Sequence, residues 1–201
     1  LLRPPMHKVP IAIGSRSEQV MRLAGELADI ALVGARHFTP ELVAQYRGWL
    51  AEGAAKAGRS PDAIEIMPRV TLCISHDETL AVTSVKRFAA HYLNILGEHG
   101  PKVDPERRAA IVRTLKDASG WYFDLARYDP PEMLALVDDD LARAFAVVGT
   151  PAQCAAQIRG ILALGLGGVS CNLAPVNRAS NYLGLKETLE GAAEMLALLK
   201  A

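Results

Sequence analysis

No stretch of this chain approaches the roughly 18 consecutive apolar residues that a membrane-spanning helix needs. The opening LLRPPMHKVP lacks the long apolar core and small-residue cleavage site of a secretory signal, so a cytoplasmic setting is expected. Cysteine is scarce. Cys73, Cys154 and Cys171 show no CxxC or other ligand spacing, which fits a reducing compartment and gives no reason to expect a metal. Aromatic residues make up only 5%, and 22 basic residues balance 22 acidic ones. With no basic stripe, nucleic acid is not an expected partner. GxSxG, HExxH, GxxxxGK[ST] and GxGxxG are all missing, which argues against a serine hydrolase, a zinc protease, a P-loop enzyme and an NAD-binding Rossmann domain.

What the chain does contain is alternation. The most informative stretch is residues 9–36, VPIAIGSRSEQVMRLAGELADIALVGAR. Val9–Ile13 is short, apolar and mostly β-branched, as in a strand buried on both faces. Gly14-Ser15-Arg16-Ser17 breaks it, and Ser15 or Ser17 can cap a helix over Glu18–Ala28. That helix places Val20, Leu23, Ala24 and Leu27 on one stripe. Ile30–Val33 follows as a second strand, ending at Gly34. Such a strand–helix–strand unit presents free backbone N–H groups just past a strand end, a natural anion site. The plain alternative is an ordinary Gly-Ser turn.

The same pattern continues. Thr39-Pro40 opens a helix over Glu41–Ala57, closed by Gly58. Ile64–Ser75 reads as a strand that is firm at Val70–Ile74, because Pro68 argues against a regular central strand before that point. Helices are expected over Asp77–Leu96, Asp104–Asp117, Pro131–Asp138, Thr150–Leu164 and Asn181–Lys200, with a last strand at Val169–Leu173. Cys73 and Cys171 fall inside strands and read as small core residues. Gly97-Glu98-His99-Gly100-Pro101 is a breaker cluster. Strands alternating with helices imply a parallel sheet in one α/β domain. At 201 residues and 50% hydrophobic, the chain can bury a core.

Three segments carry a resemblance: PIAIGSRSEQVMRLAGELADIALVGA, AEGAAKAGRSPDAIEIMPRV and VVGTPAQCAAQIRGILALGLGGVSCNL. In this order and spacing they resemble the C-terminal half of the luciferase-like monooxygenases, flavin- and deazaflavin-dependent (β/α)8 TIM barrels. The nearest branch resembles methylenetetrahydromethanopterin reductase, which uses coenzyme F420. The resemblance implies an α/β fold in which residues 1–201 supply about the last four β/α units of the barrel, the fifth to the eighth, with a helical insertion before the last strand. Two arrangements are open: a fragment of a longer protein, which is favoured, or two half-barrels that complete each other. Open sheet edges and an uncovered apolar interior are expected either way.

The implied function is an oxidoreductase that moves hydride between F420 and a small organic substrate, in a homo-oligomer. The alternatives are FMN-dependent monooxygenation and a non-catalytic half-barrel subunit. The resemblance also implies that the loop Gly14, Ser15, Arg16, Ser17, Glu18 and Gln19 holds the cofactor phosphate, with Gly34, Ala35 and Arg36 lining the second loop. Glu18 is a tension: many family members carry Gly-Pro at 17–18, and a carboxylate there opposes a phosphate unless it points away. Arg36 reads equally as a phosphate partner or as a solvated rim arginine, and His37 as a surface histidine. No catalytic residue is assigned.

Elsewhere the plainer readings are favoured. Ser75-His76-Asp77-Glu78 reads as helix capping, and Asn177 and Arg178 as surface residues. Thr150-Pro151 reads as a capped helix start at the barrel end opposite the active site. Asp138-Asp139-Asp140 reads as a solvated charge cluster. His91-Tyr92 and Trp121-Tyr122-Phe123 read as helix packing, the alternative being an insertion that overhangs the site.

Overall fold

The structure, a computed structural model, describes residues 7, 9–97 and 100–200. Most of LLRPPMHKVP and the Glu98-His99 part of the breaker cluster therefore lie outside the described residues. Strands and helices alternate as β1 (Ala12–Ser15), α1 (Glu18–Leu27), β2 (Ile30–Val33), α2 (Pro40–Lys56), β3 (Glu65–Ile74), α3 (Glu78–Leu96), α4 (Pro105–Leu115), α5 (Pro131–Leu136), α6 (Asp139–Phe145), β4 (Val147–Gly149), α7 (Pro151–Leu162), β5 (Ser170–Leu173) and α8 (Asn181–Lys200). The ladders β1–β2, β2–β3 and β3–β4 are all parallel. The chain forms two compact units, one of Leu1–Arg69 with Leu164–Ser170, the other of Val70–Ala163 with Cys171–Ala201.

In the first unit β2 is central, pairing Ala12 with Ile30 on one side and Ile30 with Glu65 on the other. One face of this sheet meets α1 and α2 through Met21, Ala24, Ala31, Val33, Tyr46 and Leu50. The two helices touch backbone to backbone. A Cβ on Gly25 would lie 2.2 Å from the Leu50 carbonyl oxygen, and one on Gly53 would lie 1.9 Å from that of Arg22. This contact fixes which face of α1 is buried, and of the expected stripe it keeps Ala24 but not Leu23 and Leu27. Met21, Ala24 and Gly25 point inward, while Leu23 and Leu27 are 44% and 56% exposed. Arg59 closes the helix end by donating to the Gly25 and Ala28 carbonyls at 3.1 and 2.6 Å.

The first strand begins later than its sequence suggests. Val9 and Ile11 are 70% and 52% exposed, and the ladder runs through Gly14 and Ser15 instead. β3 fills nearly all of the expected Ile64–Ser75 span, and the part before Val70 is regular despite Pro68. The Ile66 carbonyl accepts from the Gly167 amide, and residue 68 shares that edge by the strand's alternation. The missing N–H of Pro68 therefore points away from β2, and no bond of that ladder is lost.

In the second unit the rest of β3 pairs with β4, Leu72 opposite Val147, and the Ala174 amide just past β5 donates to the Leu72 carbonyl. Helices α3 to α6 surround Phe88, Phe123, Phe145, Ile111 and Met133, all essentially buried. Each phenylalanine adds roughly 1.5–3 kcal/mol through burial. Helix α8 lies close on this unit: a Cβ on Gly191 would meet Ile74 at 2.4 Å. Cys73 is in the core as expected, whereas Cys171 is exposed.

The sequence pattern predicts neither β4 as a strand nor α6 as a helix. The short VVG strand changes one placement. Since Gly149 pairs with Ile74 and the Ser75 amide donates to its carbonyl, Thr150 stands at the same end as the C-terminus of β3, not at the opposite end. Its capping role stands, with a full box between Thr150 and Gln153.

Candidate anion-binding loops at the ends of β1 and β2

The first unit brings together two loops that are far apart in the chain. The Gly34 amide donates to the Ser15 carbonyl at 2.9 Å, locking the β2 exit onto the β1 exit. Within the first loop, the Ser17 amide donates to Ser15 Oγ at 3.0 Å, and Ser17 Oγ caps the Val20 amide at 3.4 Å. Helix geometry leaves the amides of Glu18 and Gln19 without intrahelical acceptors. From α2, the Tyr46 hydroxyl donates to the Arg16 carbonyl at 3.1 Å. Tyr46 is 4% exposed, and burial pushes its phenol up to about 12, so it keeps this proton throughout the neutral range. The Arg16 side chain is exposed.

The Glu18 tension is resolved by its neighbour. Its carboxylate pairs with Arg22 one turn along α1, and Arg22 also holds Glu52 at 2.6 Å. Those hydrogen bonds, that to Glu52 first, hold the Arg22 guanidinium in its charged form. The negative charge of Glu18 is thus drawn back along the helix and offset locally, leaving backbone amides and Arg16 to set the potential at the turn.

In the second loop, Gly34 leaves room for a side chain: a Cβ there would come no nearer than 3.6 Å to the Ser15 carbonyl. Packing within the protein does not demand this glycine. Ala35 is buried at 4% exposure. Arg36 is not a solvated rim residue. It is 9% exposed, and its Nη1 donates to the Arg69 carbonyl at 3.1 Å. Its φ of +66° is left-handed, a conformation that costs a non-glycine residue roughly 1–2 kcal/mol. Packing and the bond to β3 hold it there. His37 is half-buried.

The candidates in the second unit take structural roles. Asp77 caps Leu80 at 3.0 Å, and Glu78 pairs with Arg143. Ser75 Oγ donates to Glu187 at 2.5 Å, and His76 lies 3.2 Å from Glu194. Arg178 grips Glu187 through Nε at 2.6 Å, and that pairing, more than the Ser75 bond, holds the Glu187 carboxyl below its usual range. Asp138 caps Leu141 at 2.9 Å and pairs with Arg107, while Asp139 pairs with Lys86. The backbone bond leads in lowering the Asp138 carboxyl. Asn177 is not simply a surface residue: Arg127 donates to it at 2.8 Å. Among the described residues, no group of three His, Cys, Asp or Glu side chains is placed to hold a metal ion.

The residues of the two joined loops fit a phosphate-bearing ligand. The loops hold two amides without intrahelical partners, two serine hydroxyls and the exposed Arg16, and the Gly34 backbone is open to close approach. Tyr46 is the residue that sequence reasoning missed. Its only signal is its inward position on α2, which does not distinguish a loop anchor from a core side chain.

Comparison with known proteins gives the family. The family model of luciferase-like monooxygenases matches residues 1–167. The chain is similar to 5,10-methylenetetrahydromethanopterin reductase of Methanolobus tindarius, 30% identical over 79% of this chain and 46% of that one. It is also similar to the reductase of the same name from Methanopyrus kandleri, 28% identical over 79% of this chain and 43% of that one. It therefore spans about half the length of the relatives it matches. Among solved structures, the coenzyme F420 dependent tetrahydromethanopterin reductase from Methanopyrus kandleri superposes with a TM-score of 0.66 at 24% identity, covering 90% of this chain and 50% of that one. An F420-dependent secondary alcohol dehydrogenase, solved with an F420-acetone adduct, gives a TM-score of 0.59 at 16% identity, covering 95% and 50%. With a family model covering most of its length and a parallel α/β fold like these TIM-barrel proteins, the chain belongs to the luciferase-like monooxygenase family.

Proposed function

We propose that this protein is an F420-dependent oxidoreductase that transfers hydride to or from a small organic substrate. The observation that supports this reading is that the loops leaving β1 and β2 lie side by side, joined by the Gly34–Ser15 hydrogen bond. The relatives named for F420 or for a methanopterin reduction favour F420 over FMN. When bound, the deazaflavin supplies the hydride chemistry. The chain's own part is to bind and orient. The amides of Glu18 and Gln19 and the Ser15 and Ser17 hydroxyls receive the phosphate, and Arg16 adds a positive charge. Gln19, Ala35 and Arg36 complete the lining.

We further propose that the chain supplies the fifth to eighth β/α units of a (β/α)8 barrel, completed by a second half. Two surfaces support this. Among the described residues β1 pairs with β2 alone, and beside it Ile11, Leu23 and Leu27 are exposed. On α8, Tyr182, Leu189 and Leu196 recur every seven residues at 74%, 54% and 52% exposure, a seam suited to a neighbouring helix.

The direct test is titration of the protein into F420, followed by cofactor fluorescence, with FMN in parallel. Saturable F420 binding that is tighter than FMN binding is expected. A protein that is folded by circular dichroism yet gives no saturable F420 response would overturn the proposal.

A further inference from the structure

The first unit carries a groove that the cofactor reading does not use. Its volume is about 540 Å³, within the range of small-molecule sites. It lies where the strands begin: Glu65 on its wall stands opposite Ile30, the first residue of β2. The proposed cofactor loops leave the other ends of β1 and β2, and none of their residues lines this groove.

The walls are tied together across the groove. On one side is α2, with Arg47 and Ala51, and on the other is the glycine turn before β5. Arg47 Nη2 spans the gap and donates to the carbonyls of Leu164 and Gly165, at 3.0 and 2.7 Å. The Gly167 amide donates to the Ile66 carbonyl at 3.3 Å, so the turn is also fastened to β3. The short 3-10 helix Pro61–Ala63 closes one end. Apolar surface is left partly open at Ala51, Pro61 and Ile66.

The polar groups differ in kind. Arg47 spends its donors on the turn. Asp62 and Glu65 are exposed, and among the described residues neither carboxylate has an ion-pair partner. Glu65 is nonetheless placed, since its side chain lies against the glycine turn. A Cβ on Gly167 would meet Glu65 Cγ at 2.8 Å and Oε1 at 3.1 Å, so glycine at that position makes the room the carboxylate occupies.

An apolar floor beside two uncommitted carboxylates suits an amine, which is charged at neutral pH, carried on an apolar body. An anion is the poorer occupant, because the lining holds two negative charges against one positive charge already turned to carbonyls. We propose that this groove binds a small organic ammonium ion, its nitrogen toward Asp62 and Glu65 and its apolar part on Ala51, Pro61 and Ile66. The site stands apart from the F420 reading, and its test needs no cofactor.

The experiment is nitrogen-15 NMR of the full chain titrated with hexylamine, with hexanol and hexanoate as the neutral and anionic counterparts of the same length. Hexylamine is expected to give saturable shifts at the amides of Ile66, Gly165 and Gly167. Its affinity is expected to be about tenfold above that of hexanol, and hexanoate is expected to give no saturable shift. Asp62→Asn and Glu65→Gln keep the size of two exposed side chains and leave the core untouched. Each is expected to weaken hexylamine by up to about fivefold, the size of one exposed ion pair. The double variant is expected to bind hexylamine no better than hexanol, with an unchanged Tm. No saturable shift with hexylamine, or shifts that fall outside the groove, overturns the site. Equal affinity for hexylamine and hexanol in the native protein, or a preference for hexylamine that survives in the double variant, overturns the assignment of an ammonium ligand to these two carboxylates.

Discussion

The buried hydroxyl of Tyr46 on α2 donates to the backbone carbonyl of Arg16 at 3.1 Å, tying a core side chain to the loop proposed to receive the cofactor. Tyr46→Phe removes that one bond and keeps the ring. It is expected to cost about 1 kcal/mol of stability, since the carbonyl turns to water. F420 binding is expected to weaken severalfold as the turn loosens. Urea unfolding and fluorescence titration on the same pair of proteins check both.

The same phenol sets an alkaline limit. Its value is raised by burial from 10 to about 12, so the folded state holds the proton more firmly than the unfolded chain. Its contribution is complete below about pH 10 and is lost as pH rises toward about 12. Stability measured at about pH 9 and about pH 11.5 should fall more steeply in the native protein than in Tyr46→Phe. Parallel curves would show that Tyr46 is not the group responsible.

Arg16 and Glu18 sit two residues apart and should behave oppositely. Arg16→Ala is expected to weaken F420 binding about tenfold, the loss of one charge-assisted contact, with stability changed by no more than about 0.5 kcal/mol. Glu18→Gln is expected to leave F420 affinity nearly unchanged, because Arg22 already offsets that carboxylate. Equal effects from the two would contradict the proposed role of the turn.

Glycines on α2 provide a test of the fold. At Gly53 an added Cβ would press on the Arg22 carbonyl at 1.9 Å, whereas at Gly48 it would meet nothing within 4 Å. Gly53→Ala is expected to destabilise by about 3 kcal/mol as α1 is pushed off α2, and Gly48→Ala to stabilise by up to about 1 kcal/mol. Thermal unfolding of both variants reads the difference directly.

Much of the architecture is legible in the sequence because its signals are local. Ile30–Val33 is an unbroken apolar run between breakers and forms β2 as read. Thr39-Pro40 and Thr150-Pro151 are cap-and-proline pairs and start helices where they should. The misreadings are those that depend on distant partners. Leu23 and Leu27 make the better apolar stripe on α1, yet the buried face is chosen by Gly25 and Gly53, half a helix pair away in sequence. Pro68 breaks strands in general, but here its nitrogen faces the edge that β2 does not use. β4 is three residues long, too short to show a period, and it owes its existence to the end of β3. The loop Gly14–Gln19 can be located from a turn between a strand and a helix. Its bond to Gly34, its anchor at Tyr46 and the redirection of Glu18 onto Arg22 all depend on tertiary packing that no local pattern encodes.

The central claim is that these loops hold F420. Native mass spectrometry of protein purified from a host that makes F420, with Arg16→Ala alongside, tests it most directly. The account predicts one F420 retained per protomer by the native protein and a reduced share retained by Arg16→Ala at matched collision energy. Retention of FMN in place of F420, or equal retention of F420 by both proteins, would contradict it.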